Sequence, residues 1–186
     1  MDKNLNRYIL KTKLLTKKEC KAVVEELKDA KWHEHYWNSP RAGITSDNGS
    51  QEPETTSELI PSHESIMNKL HPKILQYMKY IDLPWYDAWN GYTNLKFNKY
   101  TTNTKMKIHC DHIHGFHNSG PTGVPILSCL GALNNDYEGG EFVMFDDLKI
   151  DLKAGELMIF PSNFMYPHKV EPVRKGTRYT YISWVY

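Results

Sequence analysis

The sequence predicts an α+β, mainly β domain in which helices from the first third buttress a sandwich or barrel of short strands. Three observations lead there. Apolar residues before position 84 recur at helical spacing, segments after it are short and β-rich, and turn residues punctuate those segments closely. Helices first and strands afterwards fit helices packed on a β core. The 186 residues suit one domain, 1–186, with 1–84 as helical support carrying a mobile loop over 38–58, and 85–186 as the β core. That length can bury a core without disulfide staples.

Thr16 can cap a first helix, with Glu19 three residues on completing a capping box. Leu14, Leu15, Cys20, Val23, Val24 and Leu27 then fall mostly three and four apart, and the helix is expected to end near Lys31. The basic stretch from Lys11 to Lys21 reads as the solvated face of that helix and its lead-in. Residues 38–58 are rich in Ser, Thr, Asn, Gly, Pro and Glu, a composition that buries little, so a mobile loop is expected there, either a surface insertion or a lid. Ser62 can open a second helix carrying Ile66, Leu70, Ile74, Leu75 and Met78, with Pro72 kinking or splitting it. Strands are expected over 92–100, 105–110, 124–133, 141–145, 148–152, 156–160, 168–173 and 178–185.

The formal net charge is +1, so no strong field selects nucleic acid, an acidic membrane or an acidic substrate. Cys20, Cys110 and Cys129 form an odd set without a CxxC pair, which argues against a disulfide framework and for a reducing compartment. The start Met1-Asp2-Lys3-Asn4 has no apolar leader, and no run approaches the ~20 apolar residues of a membrane span. A cytoplasmic protein without nucleic-acid or membrane partners is expected.

The chemistry concentrates at His109-Cys110-Asp111 and at His168. On an extended strand, residues i and i+2 share a face, so His109 and Asp111 can present two ligand atoms side by side. His168 from a distant strand can supply a third. Two histidines and a carboxylate leave three positions open on a six-coordinate ion, the pattern of iron(II) oxygenases. Alternation points Cys110 to the opposite face, into the core, and Cys129 lies in an apolar strand. His112, His114 and His117 with Cys110 offer a rival zinc site, and His112-x-His114 a cupin-like one. Arg178, ten residues after His168, shares a strand face with Thr180, Ile182 and Trp184. Turned inward, its guanidinium needs an anion, and its planar fork suits a carboxylate. Arg174 is the competing arginine, placed before an exposed Lys-Gly turn.

These residues stand in a recognisable order. Asn98-Lys99-Tyr100 precedes the His109–Asp111 pair; Leu133-Asn134-Asn135, Glu138-Gly139-Gly140-Glu141-Phe142, Ala154-Gly155-Glu156 and Ile159-Phe160-Pro161 follow. His168-Lys169-Val170, Pro172-Val173, Gly176-Thr177-Arg178 and Trp184 close the series. From Asn98 to Trp184, close to half its length, the chain resembles the prolyl 4-hydroxylase branch of the iron(II)/2-oxoglutarate-dependent dioxygenases. The resemblance implies a double-stranded β-helix (jelly roll) with N-terminal helices against one sheet. It implies His109, Asp111 and His168 as iron ligands, Arg178 on the distal carboxylate of 2-oxoglutarate, Tyr100 lining that pocket and Trp184 beside it. Fe(II), 2-oxoglutarate and ascorbate would be the cofactors, dioxygen a partner, and a peptidyl proline or a small molecule the substrate. The reaction would release succinate and CO2. Two departures stand out. Thr101-Thr102-Asn103 replace a family glycine after the tyrosine, and Gly131-Ala132 stand where some relatives carry a second tyrosine, so Ser128 is expected to take over its hydrogen bond to the co-substrate. A non-enzymatic jelly-roll binding module is the alternative function.

Overall fold

The structure, a computed structural model, describes residues 3–39, 43–45, 51–86, 89–112 and 124–186. After a short 3-10 turn (Lys3–Tyr8) come β1 (Leu10–Lys13), α1 (Lys17–Glu26), β2 (His33–Glu34), β3 (Trp37–Ser39), β4 (Gly43–Thr45), β5 (Glu54–Thr56) and α2 (His63–Ile81). The rest is strand: β6 (Lys96–Tyr100), β7 (Met106–His109), β8 (Leu127–Ala132), β9 (Glu138–Gly139), β10 (Phe142–Met144) and β11 (Leu148–Ile150). β12 (Glu156–Pro161), β13 (His168–Val170), β14 (Val173–Lys175) and β15 (Arg178–Val185) complete it. A seven-stranded sheet runs β1-β12-β8-β15-β6-β5-β2 and a four-stranded sheet runs β11-β10-β13-β7, with β14-β9 and β3-β4 as two-stranded ribbons. The predicted mainly β architecture, a jelly roll with two helices on one sheet, is what forms.

The large sheet is covered on both faces, so its central strands read as near-continuous apolar runs rather than alternating ones. Alternation still sorts them. Leu127, Cys129, Leu157, Ile159 and Tyr181 meet Leu70, Ile74 and Tyr77 of α2 in one core. The intervening positions, among them Leu130, Met158, Phe160, Ile182 and Trp184, turn the other way and pack with Phe142, Met144 and Val170 of the small sheet. The second core surrounds the site described below.

Thr16 and Glu19 form the predicted capping box. α1 stops at Glu26 rather than near Lys31, because the Trp32 indole N–H takes the Leu27 carbonyl at 3.1 Å and the chain turns away. α2 stays one helix across Pro72, which lies on the exposed face, where a missing ladder bond faces water. Tyr77, not Leu75, fills the core stripe, and Leu75 is exposed. The Ser62 side chain does not cap α2. Its backbone N–H and hydroxyl donate instead to the Glu26 carboxylate at 2.9 and 2.7 Å, tying the end of α1 to the start of α2.

The expected mobile loop over 38–58 lies partly outside the described residues. Its described parts are ordered: β3 pairs β4, and β5 inserts between β6 and β2 with Thr55 and Thr56 buried. Three-residue strands are too short to show a period in sequence. Together with β1 on β12, this makes the first third more than helical support, for it supplies three strands to the large sheet. The expected 168–173 strand divides at Glu171-Pro172 into β13 and β14, since proline cannot donate to the ladder. The absent family glycine has a local substitute: Asn103 has φ 69, and asparagine tolerates the left-handed region better than most residues.

Gly131 shows how tightly the outer core is set. A Cβ there would come within 2.0 Å of the buried Tyr181 ring. Gly131→Ala should therefore lower stability by about 1–3 kcal/mol through overpacking, and Thr16→Ala, which only removes a cap, by about 1 kcal/mol. Urea denaturation midpoints of the two variants check the order.

Candidate metal centre and its pocket

β7 and β13 are neighbours, and their register sets His109 directly opposite His168. The ring centroids lie 4.3 Å apart. Each ring is held from behind: Nδ1 of His109 donates to the Lys107 carbonyl at 2.7 Å, and Nδ1 of His168 to the Tyr166 carbonyl at 3.0 Å. A carbonyl only accepts, so the proton sits on Nδ1 and each Nε2 offers a lone pair. Those Nε2 atoms stand 3.5 and 3.7 Å from Asp111 Oδ1. One ligand atom of each of the three residues lies within 4.8 Å of the others.

Asp111 is buried just beyond the end of β7. Its Oδ2 accepts from the Ser128 hydroxyl at 2.6 Å, and that hydroxyl lies 2.8 Å from Ser162 Oγ. Burial alone would raise the Asp111 pKa; the charge that His168 and then His109 would carry when protonated, with the Ser128 hydrogen bond, outweighs it and holds the carboxyl below the usual range. Burial, with His109 adding to it, pushes His168 down to about 4. The arrangement favours a carboxylate beside neutral imidazoles, the forms that bind metal. Two imidazoles and one carboxylate around one point, with no thiolate, suit a six-coordinate ion with open sides better than closed tetrahedral zinc.

Cys110 corrects the alternation argument. The pleat ends at His109, and Cys110 is half-buried at the pocket border rather than in the core. Neither Cys110 nor His112 joins the ligand group; His112 is exposed, its Nδ1 3.2 Å from the Pro125 carbonyl. His114 and His117 lie outside the described residues. Cys129 is buried, as expected.

The three ligand groups open into a pocket of about 740 Å³ including its mouth. Phe142 stacks on His168 with centroids 5.2 Å apart, and Phe160 meets it edge-on at 5.3 Å. Along β15, Arg178, Ile182 and Trp184 face the pocket, and Tyr100 faces it from β6. Arg178 is 3% exposed; its guanidinium carbon lies 5.0 Å from the Tyr100 ring centroid, and its Nε has no hydrogen-bond partner. A buried cation with an unused donor is built for an anion. Arg174 is exposed and pairs with Glu141 at 3.3 Å. The residues present thus fit both an iron(II) ion and a carboxylate ligand.

Ser128 does not play the expected part. It is fully buried behind Asp111, absent from the pocket wall, and its hydroxyl is committed to the carboxylate, so it meets the site through Asp111 and not through the co-substrate. The sequence reading also passed over His35, Glu52 and Lys96, and took Asn98 only as part of the motif before the ligand pair. Trp37 sets its ring edge-on to His109, centroids 5.1 Å apart, and donates its indole N–H to Glu52 at 3.0 Å. His35 meets Trp37 edge-on at 4.8 Å. Lys96 and Asn98 stand on the Tyr100 face of β6, a period-2 pattern visible in the sequence.

Two outcomes follow from this geometry. Ser128→Ala should weaken metal binding about 10- to 100-fold by freeing the Asp111 carboxylate, which anaerobic calorimetry with iron(II) reads. Burial, then the charges of Lys96 and His109, push His35 down to about 3. The unfolded chain protonates this ring below pH ~6.5 while the folded chain does not, so the unfolded state binds more protons and stability falls on acidification through that window. The slope for one such group is at most about 1.4 kcal/mol per pH unit. Urea midpoints at pH 7 and pH 5 should drop less in His35→Gln than in the native chain.

A family model described as the 2OG-Fe(II) oxygenase superfamily matches residues 95–186. A PKHD-type hydroxylase of Xylella fastidiosa (strain M12) is 34% identical over 108 residues, covering 48% of this chain and 43% of that protein. A PKHD-type hydroxylase of Pseudomonas aeruginosa (strain LESB58) is 33% identical over 95 residues, covering 47% and 41%. The chain therefore spans less than half the length of these relatives. In shape it matches the viral collagen prolyl hydroxylase of Paramecium Bursaria Chlorella virus-1, with TM-score 0.67, 18% identity and coverage of 96% and 94%. It also matches a Trichoplax adhaerens prolyl hydroxylase in complex with a hypoxia inducible factor peptide fragment, with TM-score 0.70, 16% identity and coverage of 97% and 84%. At such identities the likeness speaks for the fold. Family model, sequence relatives and shared fold agree: over residues 95–186 the chain is similar to the 2OG-Fe(II) oxygenase superfamily, a family that implies Fe(II) and 2-oxoglutarate.

Proposed function

We propose that this chain, as one domain over 1–186, is an iron(II)- and 2-oxoglutarate-dependent dioxygenase that hydroxylates a C–H bond, with a peptidyl proline as substrate. The observation that carries the reading is the pairing, in one pocket, of the His109, Asp111 and His168 ligand atoms with a buried Arg178 whose Nε has no partner. When bound by those three residues, iron(II) with 2-oxoglutarate would supply an oxidant from dioxygen, with succinate and carbon dioxide released.

The protein's own part is ligation, orientation and exclusion of water. His109 and His168 present Nε2 lone pairs because backbone carbonyls fix their Nδ1 protons. Asp111 is left ionised and aimed by Ser128. Arg178, resting on Tyr100, holds the far carboxylate of the co-substrate, so the reacting end is oriented from both sides. Phe142, Phe160, Val170 and Leu130 keep the reaction space apolar. The hydroxylase names of the sequence relatives support a hydroxylation, and the peptide fragment in complex with the Trichoplax prolyl hydroxylase supports a peptide substrate. Ascorbate belongs to the same reading as a further cofactor. The free state of Cys20, Cys110 and Cys129 supports a cytoplasmic setting, and among the described residues no helix is long and apolar enough to cross a membrane.

The test is succinate release from protein loaded with iron(II) without air, with and without proline-rich peptides. Turnover of 2-oxoglutarate that Asp111→Ala abolishes, and that peptides stimulate, is the expected result. Arg178→Met should raise the KM for 2-oxoglutarate at least about 10-fold, the loss of a charge-assisted bidentate contact. No succinate together with no binding of 2-oxoglutarate by the metal-loaded protein would favour a jelly-roll binding module.

A further inference from the structure

The first third of the chain sends one arm into the pocket. β2 pairs with β5, and past its end the His35 backbone N–H donates to the Pro53 carbonyl at 2.9 Å. His35 and Trp37, two positions apart, both line the pocket. On its other side β5 pairs with β6, whose Asn98 and Tyr100 line the same pocket, so arm and sheet form one wall. Neither metal ligation nor the Arg178 contact uses this arm.

Two features of the arm point to a ligand. The first is the setting of Trp37. Its ring stands between two imidazoles and steeply inclined to each, with His35 at 4.8 Å and 88° and His109 at 5.1 Å and 71°. Its indole N–H donates to Oε1 of Glu52 at 3.0 Å. Glu52 is buried, and its Oε2 makes no hydrogen bond. A carboxyl group held out of water with one oxygen unmet is unfavourable. What that burial fixes is the orientation of an indole that is only partly buried and borders the pocket. The second feature is His35 itself, which is buried and lines the pocket while its Nε2 has no hydrogen-bond partner. Burial, then Lys96 and His109, keep this ring neutral, and a neutral imidazole nitrogen either gives one hydrogen bond or takes one.

We propose that this arm reads a peptide: Trp37 is a specificity-determining residue that stacks on the ring of a substrate proline, and His35 Nε2 bonds a main-chain amide group of a flanking residue. An indole offers an electron-rich face to the pyrrolidine C–H bonds, as aromatic grooves do to proline-rich segments. The two ring contacts leave His35 no more than about three residues of extended peptide from His109, at roughly 3.3 Å per residue. A target carbon held beside the ligand triad therefore keeps a neighbouring amide within reach of His35, which a free amino acid lacks. Glu52 acts through Trp37 and is a positioning residue. The inference rests on the dioxygenase reading above and deepens it by naming the residues that recognise the substrate.

The test uses three probes: a capped alanine-alanine-proline-alanine-alanine peptide, its leucine counterpart, and free L-proline. Calorimetry on protein loaded with manganese(II) reads 2-oxoglutarate first and the probe second. The native protein should bind the proline peptide about 3- to 10-fold tighter than either other probe, the worth of one aromatic contact or one hydrogen bond. Trp37→Leu should erase the preference for proline over leucine. Glu52→Leu should lower that preference and Glu52→Gln preserve it, since the amide oxygen still accepts the indole N–H. His35→Leu should remove the advantage of the peptide over L-proline, and His35→Gln, which keeps a hydrogen-bonding group there, should retain it. Equal binding of the three probes by the native protein, or a proline preference that survives Trp37→Leu, overturns the inference. An equal ratio in the two Glu52 variants overturns it as well, and decides the matter if Trp37→Leu does not fold. In each of these cases turnover of 2-oxoglutarate by the iron-loaded protein leaves the dioxygenase reading standing. Absence of 2-oxoglutarate binding in the first titration strikes that reading instead, and the probe titration still judges the arm.

Discussion

His168 faces His109 across the β13–β7 ladder, and the site depends on that register. The two histidines come from distant parts of the chain and are neighbours only through antiparallel pairing of two short strands. A slip of one residue would turn one ring to the other side of the sheet. The Nδ1 bonds to the Lys107 and Tyr166 carbonyls add a second constraint, since each ties the ring to the backbone two positions earlier in the chain. Metal-ready geometry is thus a property of backbone register first and of side chains second.

The large sheet carries this arrangement because its two faces do different work. Outward positions of β8, β12 and β15 lock onto α2, and inward positions of the same strands form the pocket wall. Ser128 and Cys129 illustrate the division. Adjacent in sequence, one steadies Asp111 and the other is buried under the helices. The helices therefore stiffen the strands that hold the chemistry without touching it.

Much of this was legible. β15 was read with the observed bounds, and the inward face of Arg178, Ile182 and Trp184 followed from period 2. His109, Asp111 and His168 could be picked out because chemistry restricts the residue types. What escaped was set by long-range contacts. β1, β2 and β5 are two to four residues long and pair with strands far away in sequence, so no local period announces them. Cys110 was misplaced because alternation was carried one residue past the end of β7. Ser128 was given the wrong partner because its strand position fixes the face it takes but not which acceptor waits there. Lys96 shares its face with Tyr100 by simple alternation, yet a lysine in a strand ordinarily reads as solvated.

The outer strand β1 gives the large sheet its closing margin. It pairs with β12 through all four of its residues, with Lys11 and Lys13 on the exposed side and Leu10 and Thr12 half-buried. Without it, the apolar run of β12 would offer a bare row of backbone donors and acceptors to any other chain. Charged residues on a four-residue border make a poor template for further addition. The lysine-rich lead-in thus acts as a guard against self-association, a role in colloidal behaviour quite apart from the reaction in the pocket.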